Sequence, residues 1–173
     1  METIINKVAE SGLITLDLET FMPAAPEVLV FDIKPFLFKE LLLREKDFRA
    51  SLQVFDFSIF QDKYAAVYCS ADAIIPMWAY MLIMTYLDGK TKKTVFGTKE
   101  QAIIDIAIDN IKDMDVSKYI DARIVVKGCG DRGASAGMYL MASQILLPHV
   151  KTLMFGEPCS TVPIYKKKKT TTI

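Results

Sequence analysis

Short apolar runs and longer stretches of helical periodicity follow one another through the second half of this chain. The apolar runs at 64–69, 94–96, 122–127 and 151–155 predict strands. The stretches at 76–87, 99–111 and 134–147 repeat their apolar residues at helical spacing and predict helices. Strands and helices that alternate in this way favour parallel pairing. The pattern therefore predicts an α/β fold, a single domain with a mostly parallel sheet and crossover helices.

The first third of the chain has a different pattern. Residues 1–34 predict a β-rich lead-in, with strands at 13–18 and 28–33. A helix is expected over 35–53, because Pro35 suits a first helical turn and charged residues fill one face of the stretch.

The end of the chain is expected to be irregular. Residues 157–173 contain two prolines and the lysine run 166–169, so we expect a basic tail over 166–173. No internal sequence repeat is apparent, and 64–156 reads as one series of β and α elements. We therefore assign 1–173 to a single α/β domain.

The helix predicted over 76–87 is rich in methionine and aromatic residues. Met77, Met81 and Met84 recur at helical spacing beside Trp78 and Tyr80. Apolar residues at this spacing are far more often core than part of a cofactor site, so we expect these side chains to be buried.

Composition and charge narrow the classes of function. Lys+Arg and Asp+Glu both number 21, so the formal net charge is zero and no overall attraction to nucleic acid or membrane is implied. The N-terminus lacks the features of a signal peptide, and the most apolar stretch, 71–87, is interrupted by Asp72 and Pro76. We expect a cytoplasmic protein with neither nucleic acid nor a membrane as partner. In that compartment three cysteines are more often thiols, metal ligands or redox groups than disulfides.

Each of the three cysteines follows a predicted strand. Residues just beyond parallel strands meet at one edge of a sheet, so Cys69, Cys129 and Cys159 are expected to converge. Thiolates bind zinc and iron–sulfur clusters, and three of them leave one coordination position open. The sequence therefore predicts a three-cysteine site for zinc or an iron–sulfur cluster.

Acidic residues accompany these cysteines. One of Asp72, Asp131 and Glu157 would supply a fourth ligand, or these residues would interact with the ligating cysteines without binding the metal themselves. The chain has no C-x-x-C pair and a single histidine, His149 at a predicted helix end, so the sharper zinc and ferredoxin patterns are absent. Two alternatives stay open, namely thiol redox chemistry and cysteines that are merely small buried residues.

The turn GCGDRG at 128–133 suggests a different kind of site. It fits G-x-G-x-x-G between a predicted strand and a predicted helix, where Gly128 and Gly130 would let the backbone approach a phosphate. Glu157 lies after the next strand, where an acid can take a ribose hydroxyl, although Asp131 would add negative charge near the phosphates. A nucleotide- or phosphate-binding module is therefore an alternative function. A metal-free interaction protein that presents the charged helix around 45–49 is another.

Four phrases of the chain resemble a known family. They are LREKDFR at 43–49, CSADAIIPMWAYML at 69–82, KGCGD at 127–131 and GEPCSTVP at 156–163. Together they resemble the bacterial domain-of-unknown-function 2480 family over nearly the whole chain. The resemblance implies no established activity. It does imply a role accessory to iron–sulfur cluster assembly, with assembly proteins as partners, because some members are encoded beside such genes. All three cysteines fall inside the phrases, whereas Gly133 and Gly137 do not belong to them.

Overall fold

The computed structural model describes residues 12–168 and contains two β-sheets. In chain order the elements are β1 (Leu13–Asp17), β2 (Val28–Asp32), α1 (Glu45–Val54), β3 (Tyr64–Tyr68), α2 (Met77–Leu87), β4 (Lys93–Phe96), α3 (Lys99–Lys112), β5 (Arg123–Lys127), α4 (Ala136–Leu146), β6 (Thr152–Glu157) and β7 (Ser160–Lys166). The predicted α/β class is confirmed, as is the mostly parallel strand pairing. Among the described helices, none is long and apolar enough to cross a membrane.

Two compact units divide the chain. We call residues 23–106 the central unit, and we call the described residues 12–22 and 107–168 the terminal unit. The strands thus form two sheets rather than the one sheet that the sequence predicts. The assignment of the whole chain to a single domain stays a prediction.

The central unit is built on a parallel sheet of order β2-β3-β4. One face of this sheet carries a phenylalanine-rich core in which Phe31 packs among the rings of Phe36, Phe55 and Phe57. Helices α1 and α2 add to that core the buried residues that recur on one face of each, Phe48 and Leu52 of α1 and Ala79, Ile83 and Leu87 of α2. On the other face, Ala102 of α3 packs with buried strand residues.

The terminal unit has a sheet of order β1-β5-β6-β7, in which the first three strands are parallel and β7 is antiparallel to β6. Its core lies between the sheet and two helices, the end of α3 and the whole of α4. The largest fully buried side chains there are Leu18, Ile111, Ile124 and Met138. The strand β1 joins this sheet in register with β5, which follows it more than a hundred residues later.

The two units share a structural repeat that is hard to see in the sequence. Helix α2 spans 77–87 and α4 spans 136–146, so each residue of one has its counterpart 59 positions later in the other. The same shift relates β3 to β5 and the first residue of β4 to that of β6. The repeat therefore relates residues 56–97 to residues 115–156 with no insertion or deletion between them.

Backbone details confirm that the repeat is genuine. Asp56 and Asp115 each accept a hydrogen bond from the backbone N–H of the serine two residues later, at 2.9 Å in both cases. Asp62 and Asp121 both have a positive φ, of 57° and 52°. The second strand of each repeat is followed or interrupted by a glycine, Gly97 or Gly156, with a φ of 127° or 117°. Only glycine adopts such backbone angles readily.

Two sequence predictions of local structure are wrong. The helix expected over 35–53 begins only at Glu45, because Lys39 and Glu40 adopt positive φ angles of 52° and 57° in a tight turn that stops a right-handed helix. The ending expected to be irregular instead forms β7. There Pro163 lies next to a bulge in the ladder, where a missing N–H is tolerated. The lysine tail beyond residue 168 lies outside the described residues, as do residues 1–11 of the lead-in.

The methionine side chains of α2 are a further correction. Ala79, Ile83 and Leu87 form its buried stripe, whereas Met77 and Met81 are each 72% exposed. The expectation that the methionines are core is therefore wrong. The periodicity could not reveal this, because α2 is apolar on every face.

Candidate functional site

The structure places the predicted cysteines on two different sheets. Cys69 follows β3 of the central unit, whereas Cys129 follows β5 of the terminal unit and Cys159 lies in the turn between β6 and β7. The premise that all three follow strands of one sheet is therefore wrong. All three are free thiols, and Cys129 and Cys159 are exposed. Within residues 12–168, no three His, Cys, Asp or Glu side chains are grouped closely enough to hold a metal ion. The metal roles of the cysteines stay predictions.

An internal carboxylate holds the turn that was predicted to bind a phosphate. The Gly133 N–H donates a hydrogen bond to Glu19 Oε1 at 3.1 Å. A Cβ at Gly130 would stand 2.6 Å from Glu19 Oε2, so the glycine lets the carboxylate lie directly on the backbone. The Arg132 guanidinium donates to the backbone carbonyls of Glu19 and Met22. The chain's own anion thus occupies the place that a bound phosphate would take at such a turn.

The strand ends of the terminal unit carry an ionic cluster. Lys127, the last residue of β5, lies 3.4 Å from a carboxylate oxygen of Asp17 and 3.9 Å from one of Glu157. These are the ends of the three parallel strands, so the register of the sheet brings the charges together. Asp131, by contrast, is exposed on the turn.

Cys129 faces a tyrosine from the following helix. Its Sγ lies 3.8 Å from Tyr139 Oη, and the Tyr139 ring packs edge-on against Phe155 with centroids 5.5 Å apart. Partial burial, the hydrogen bond with Cys129 and nearby negative charge raise the pKa of Tyr139 to about 12. The phenol therefore stays protonated at neutral pH and can donate a hydrogen bond.

The strand ends of the central unit carry an uncharged pocket instead. A cavity of about 200 Å³ lies beyond β3 and β4, with Cys69 in its wall. Its other lining residues are Tyr68, Ala71, Ala73, Ile75, Tyr80, Phe96, Gly97, Thr98 and Gln101. The pocket is thus mixed in character, because aromatic and aliphatic side chains share its surface with a thiol, hydroxyls, one amide and backbone groups. Asp72 is exposed and does not line it.

Two fixed features shape this pocket. The loop after β3 is held by Asp32 at the end of β2, which accepts hydrogen bonds from both the backbone N–H and the hydroxyl of Ser70. The opposite wall is the start of α3, where the side chains of Thr98 and Gln101 each accept a hydrogen bond from the other residue's backbone N–H and form a capping box. Between these walls the Tyr80 ring meets the Phe96 ring edge-on, with centroids 5.6 Å apart.

The repeat shows how the two edges differ. Tyr80 and Phe96 correspond to Tyr139 and Phe155, so each edge keeps an edge-on tyrosine–phenylalanine pair. Tyr68 corresponds to Lys127. Tyr68 lines the pocket of the central unit, whereas Lys127 lies at the centre of the ionic cluster of the terminal unit. The two strand edges are therefore related in architecture and divergent in chemistry.

Several of these residues were missed by sequence reasoning. Asp17 and Asp32 are the last residues of two lead-in strands and Glu19 follows the first of them, and the partners of these strands cannot be read from local sequence. Tyr80 and Phe96 have a signal that could have found them. A tyrosine and a Phe-Gly pair recur at the same spacing 59 residues later.

The fold and its strand-end pocket define a class, a two-unit α/β protein with a small pocket beyond the parallel strands of its central unit. The chain belongs to the family described as protein of unknown function DUF2480, whose model matches residues 2–167. This confirms the resemblance seen in the four phrases. No curated protein matches the chain, and no solved structure does either.

Proposed function

We propose that this protein binds a small uncharged ring compound in the pocket beyond β3 and β4. The observation that carries the proposal is the cavity itself, with its aromatic walls and a thiol at its side. Ligands of open parallel sheets bind outside the carboxyl ends of the strands, which is where this cavity lies. Apolar and aromatic walls with a few polar groups are the usual composition of a small-molecule site.

The lining selects the chemistry of the ligand. Among the described residues, the pocket walls include no charged side chain, so an ion would lose hydration without gaining a partner. An apolar cavity of about 150 Å³ is known to hold one benzene ring. A cavity of about 200 Å³ therefore suits one ring with a small substituent.

Aromatic geometry supports a ring ligand. The edge-on contact of Tyr80 with Phe96 leaves Phe96 70% exposed. The Phe96 ring therefore offers open aromatic surface at the pocket, against which a ring ligand can stack. The hydroxyls of Tyr80 and Thr98 and the Cys69 thiol lie at the same pocket and supply hydrogen bonds for a substituent. A reducing cytoplasm, the compartment expected from the sequence, would keep that thiol free.

Fluorine NMR of 4-fluorophenol tests the proposal directly. The probe signal should shift and broaden on addition of the protein, and 4-fluorobenzoate should bind more weakly because of its charge. Phe96→Ala should weaken binding about fivefold, the effect of losing roughly 1 kcal/mol of ring contact. Phe96 is exposed, so the variant should fold normally.

The repeat provides the matched control. Phe155 occupies the position of Phe96 in the terminal unit, so Phe155→Ala should leave binding of the probe unchanged. Equal loss in the two variants, or a probe signal that the wild-type protein does not alter, would overturn the proposal.

A further inference from the structure

A second cavity of the central unit adjoins the pocket beyond β3 and β4, which we call the ring pocket. It has a volume of about 270 Å³ and is lined by Phe96, Gln101, Ile104 and Asp105. Phe96 and Gln101 also line the ring pocket, so the two cavities share a wall. The second cavity differs in chemistry, because its lining includes a carboxylate.

The turn from β4 into α3 builds this second cavity. Phe96 is the last residue of β4, and the other three lining residues lie three and four positions apart on one face of α3. A Cβ at Gly97 would stand 2.8 Å from Gln101 Oε1, so the glycine lets the Gln101 side chain lie against the turn. The same oxygen accepts a hydrogen bond from the Thr98 N–H at 3.0 Å. The wall between the two cavities is therefore held in place by the chain itself.

The Asp105 carboxylate lines this cavity and is exposed. In the part of the chain that the structure describes, neither a hydrogen bond nor an ion pair engages it. Lys99, at the start of α3, interacts with the carboxylate of Glu100. The residues three and four positions away along the helix are not cationic, namely Gln101, Ala102, Ile108 and Asp109. The carboxylate therefore keeps its attraction for an outside cation.

The Phe96 ring favours the same kind of ligand. Phe96 is 70% exposed, and its edge-on contact with Tyr80 leaves much of the ring surface open. The face of an aromatic ring attracts a cation that lies within about 6 Å of its centre. Among the described residues, lysine and arginine side chains lie over the rings of Phe38, Tyr64 and Tyr119, but none lies over Phe96.

The remaining lining selects an organic cation over a metal ion. Ile104 is half-buried and adds aliphatic surface, which a bare metal ion cannot use. Hard metal ions need several oxygen ligands, and within residues 12–168 no three His, Cys, Asp or Glu side chains are grouped to supply them. A quaternary ammonium group carries its charge on methyl groups, so it suits a ring, an aliphatic wall and one carboxylate. An apolar cavity of about 150 Å³ holds a benzene ring, so about 270 Å³ admits a trimethylammonium group with a short chain.

We infer that this cavity binds a quaternary ammonium group, with its positive charge against the Phe96 ring and the Asp105 carboxylate. Aromatic rings are the usual partners of such ligands, and the carboxylate adds Coulomb attraction. The site goes beyond the proposed function. Two residues line both cavities, but the charge lies in only one of them, so each site can hold or fail without the other.

Choline and its uncharged isostere 3,3-dimethylbutan-1-ol test the inference, because the two compounds match in shape and differ in charge. In titrations followed by amide NMR of the full chain, choline should bind in the millimolar range and the isostere at least about fivefold more weakly. Asp105→Asn and Phe96→Leu should each weaken choline about threefold and leave the isostere unchanged. Asp105→Asn should also leave the binding of 4-fluorophenol unchanged, which separates this site from the ring pocket.

Asp88 supplies the matched control, since it is an exposed acid of the same unit that follows α2 and does not line the cavity. Asp88→Asn should not change choline binding. A protein that binds choline but not 4-fluorophenol would support this inference and refute the ring site. The inference is overturned if the isostere binds as tightly as choline, if Asp88→Asn acts like Asp105→Asn, or if choline does not bind below about 10 mM.

Discussion

The carboxylate of Asp32 at the end of β2 holds Ser70 in the loop after β3, accepting from its backbone N–H at 2.9 Å and from its hydroxyl at 2.5 Å. A third hydrogen bond comes from the Lys34 N–H at 2.9 Å. This aspartate therefore fixes the loop that carries Cys69 into the pocket wall.

Replacing Asp32 should destabilise the central unit in a pH-dependent way. Burial alone would raise the pKa of Asp32, but the hydrogen bonds from Ser70 and the Lys34 N–H lower it on balance. A folded pKa below the unfolded value stabilises the protein above about pH 4, and this stabilisation is lost as the pH falls through the folded pKa. At neutral pH, Asp32→Ala should lower the free energy of unfolding by about 2 kcal/mol, measured by urea denaturation.

Asp47→Ala is the control, because Asp47 is exposed and, within residues 12–168, its ion pair is the long 3.9 Å contact with Arg44. That change should stay within about 0.5 kcal/mol. An Asp32→Ala variant that loses stability in acid as steeply as the wild type would contradict the role given to this carboxylate.

Gly156 should tolerate no side chain. Its φ is 117°, and an added Cβ would stand 2.5 Å from the backbone oxygen of Ser160. Gly156→Ala should therefore cost about 3 kcal/mol of unfolding free energy in thermal or urea denaturation. Gly89 has a φ of 68° with open space around it, so Gly89→Ala should cost only about 1 kcal/mol. Equal costs would mean that the β6–β7 hairpin is not packed as described.

The exposed methionines of α2 should oxidise first. Met77 and Met81 are 72% exposed, whereas Met138 is fully buried. Brief treatment with hydrogen peroxide should convert Met77 and Met81 to sulfoxides while Met138 stays reduced, as followed by peptide mass spectrometry. The circular dichroism spectrum should not change, because these side chains do not support the core. Protection of Met77 and Met81 equal to that of Met138 would show that this face is covered in solution.

Tyr139 should titrate later than an ordinary tyrosine. Its pKa is raised to about 12 by burial and by Cys129, against about 10 in an unfolded chain. A raised pKa stabilises the fold below about pH 10, and this contribution is lost as the pH rises through about 12. Ultraviolet titration of wild type against Tyr139→Phe should therefore differ only above about pH 11. A difference that appears near pH 10 would place Tyr139 in open solvent.

Local sequence patterns predicted most of the elements but not their assembly. The strands at 64–69 and 122–127 are visible because apolar runs and turn residues report local structure. Which sheet a strand joins depends on contacts far along the chain. Leu13 pairs with Arg123, for example, and no local pattern carries that information. For this reason the premise of the shared cysteine site, that all three cysteines follow strands of one sheet, was wrong.

The candidate pocket was predictable only in part. Cys69 was found because it follows a strand, whereas Tyr80 and Phe96 reach the same place through a helix face and the pairing of β3 with β4. The methionines of α2 were assigned to the core because a helix that is apolar on every face does not indicate which face is buried. The 59-residue repeat supplies information on both points. Helix α4 has a tyrosine at the position of Tyr80, but it has no methionine at the positions of the α2 methionines.

The alkylation rate of Cys69 tests the central claim most directly. Iodoacetamide labelling, followed residue by residue by mass spectrometry, reports the three free thiols in one experiment. With phenol present at saturation, Cys69 should react several-fold more slowly, while Cys129 and Cys159 keep their rates. If Cys69 reacts at the same rate with and without phenol, or if all three thiols slow together, the pocket beyond β3 and β4 does not bind a ring compound.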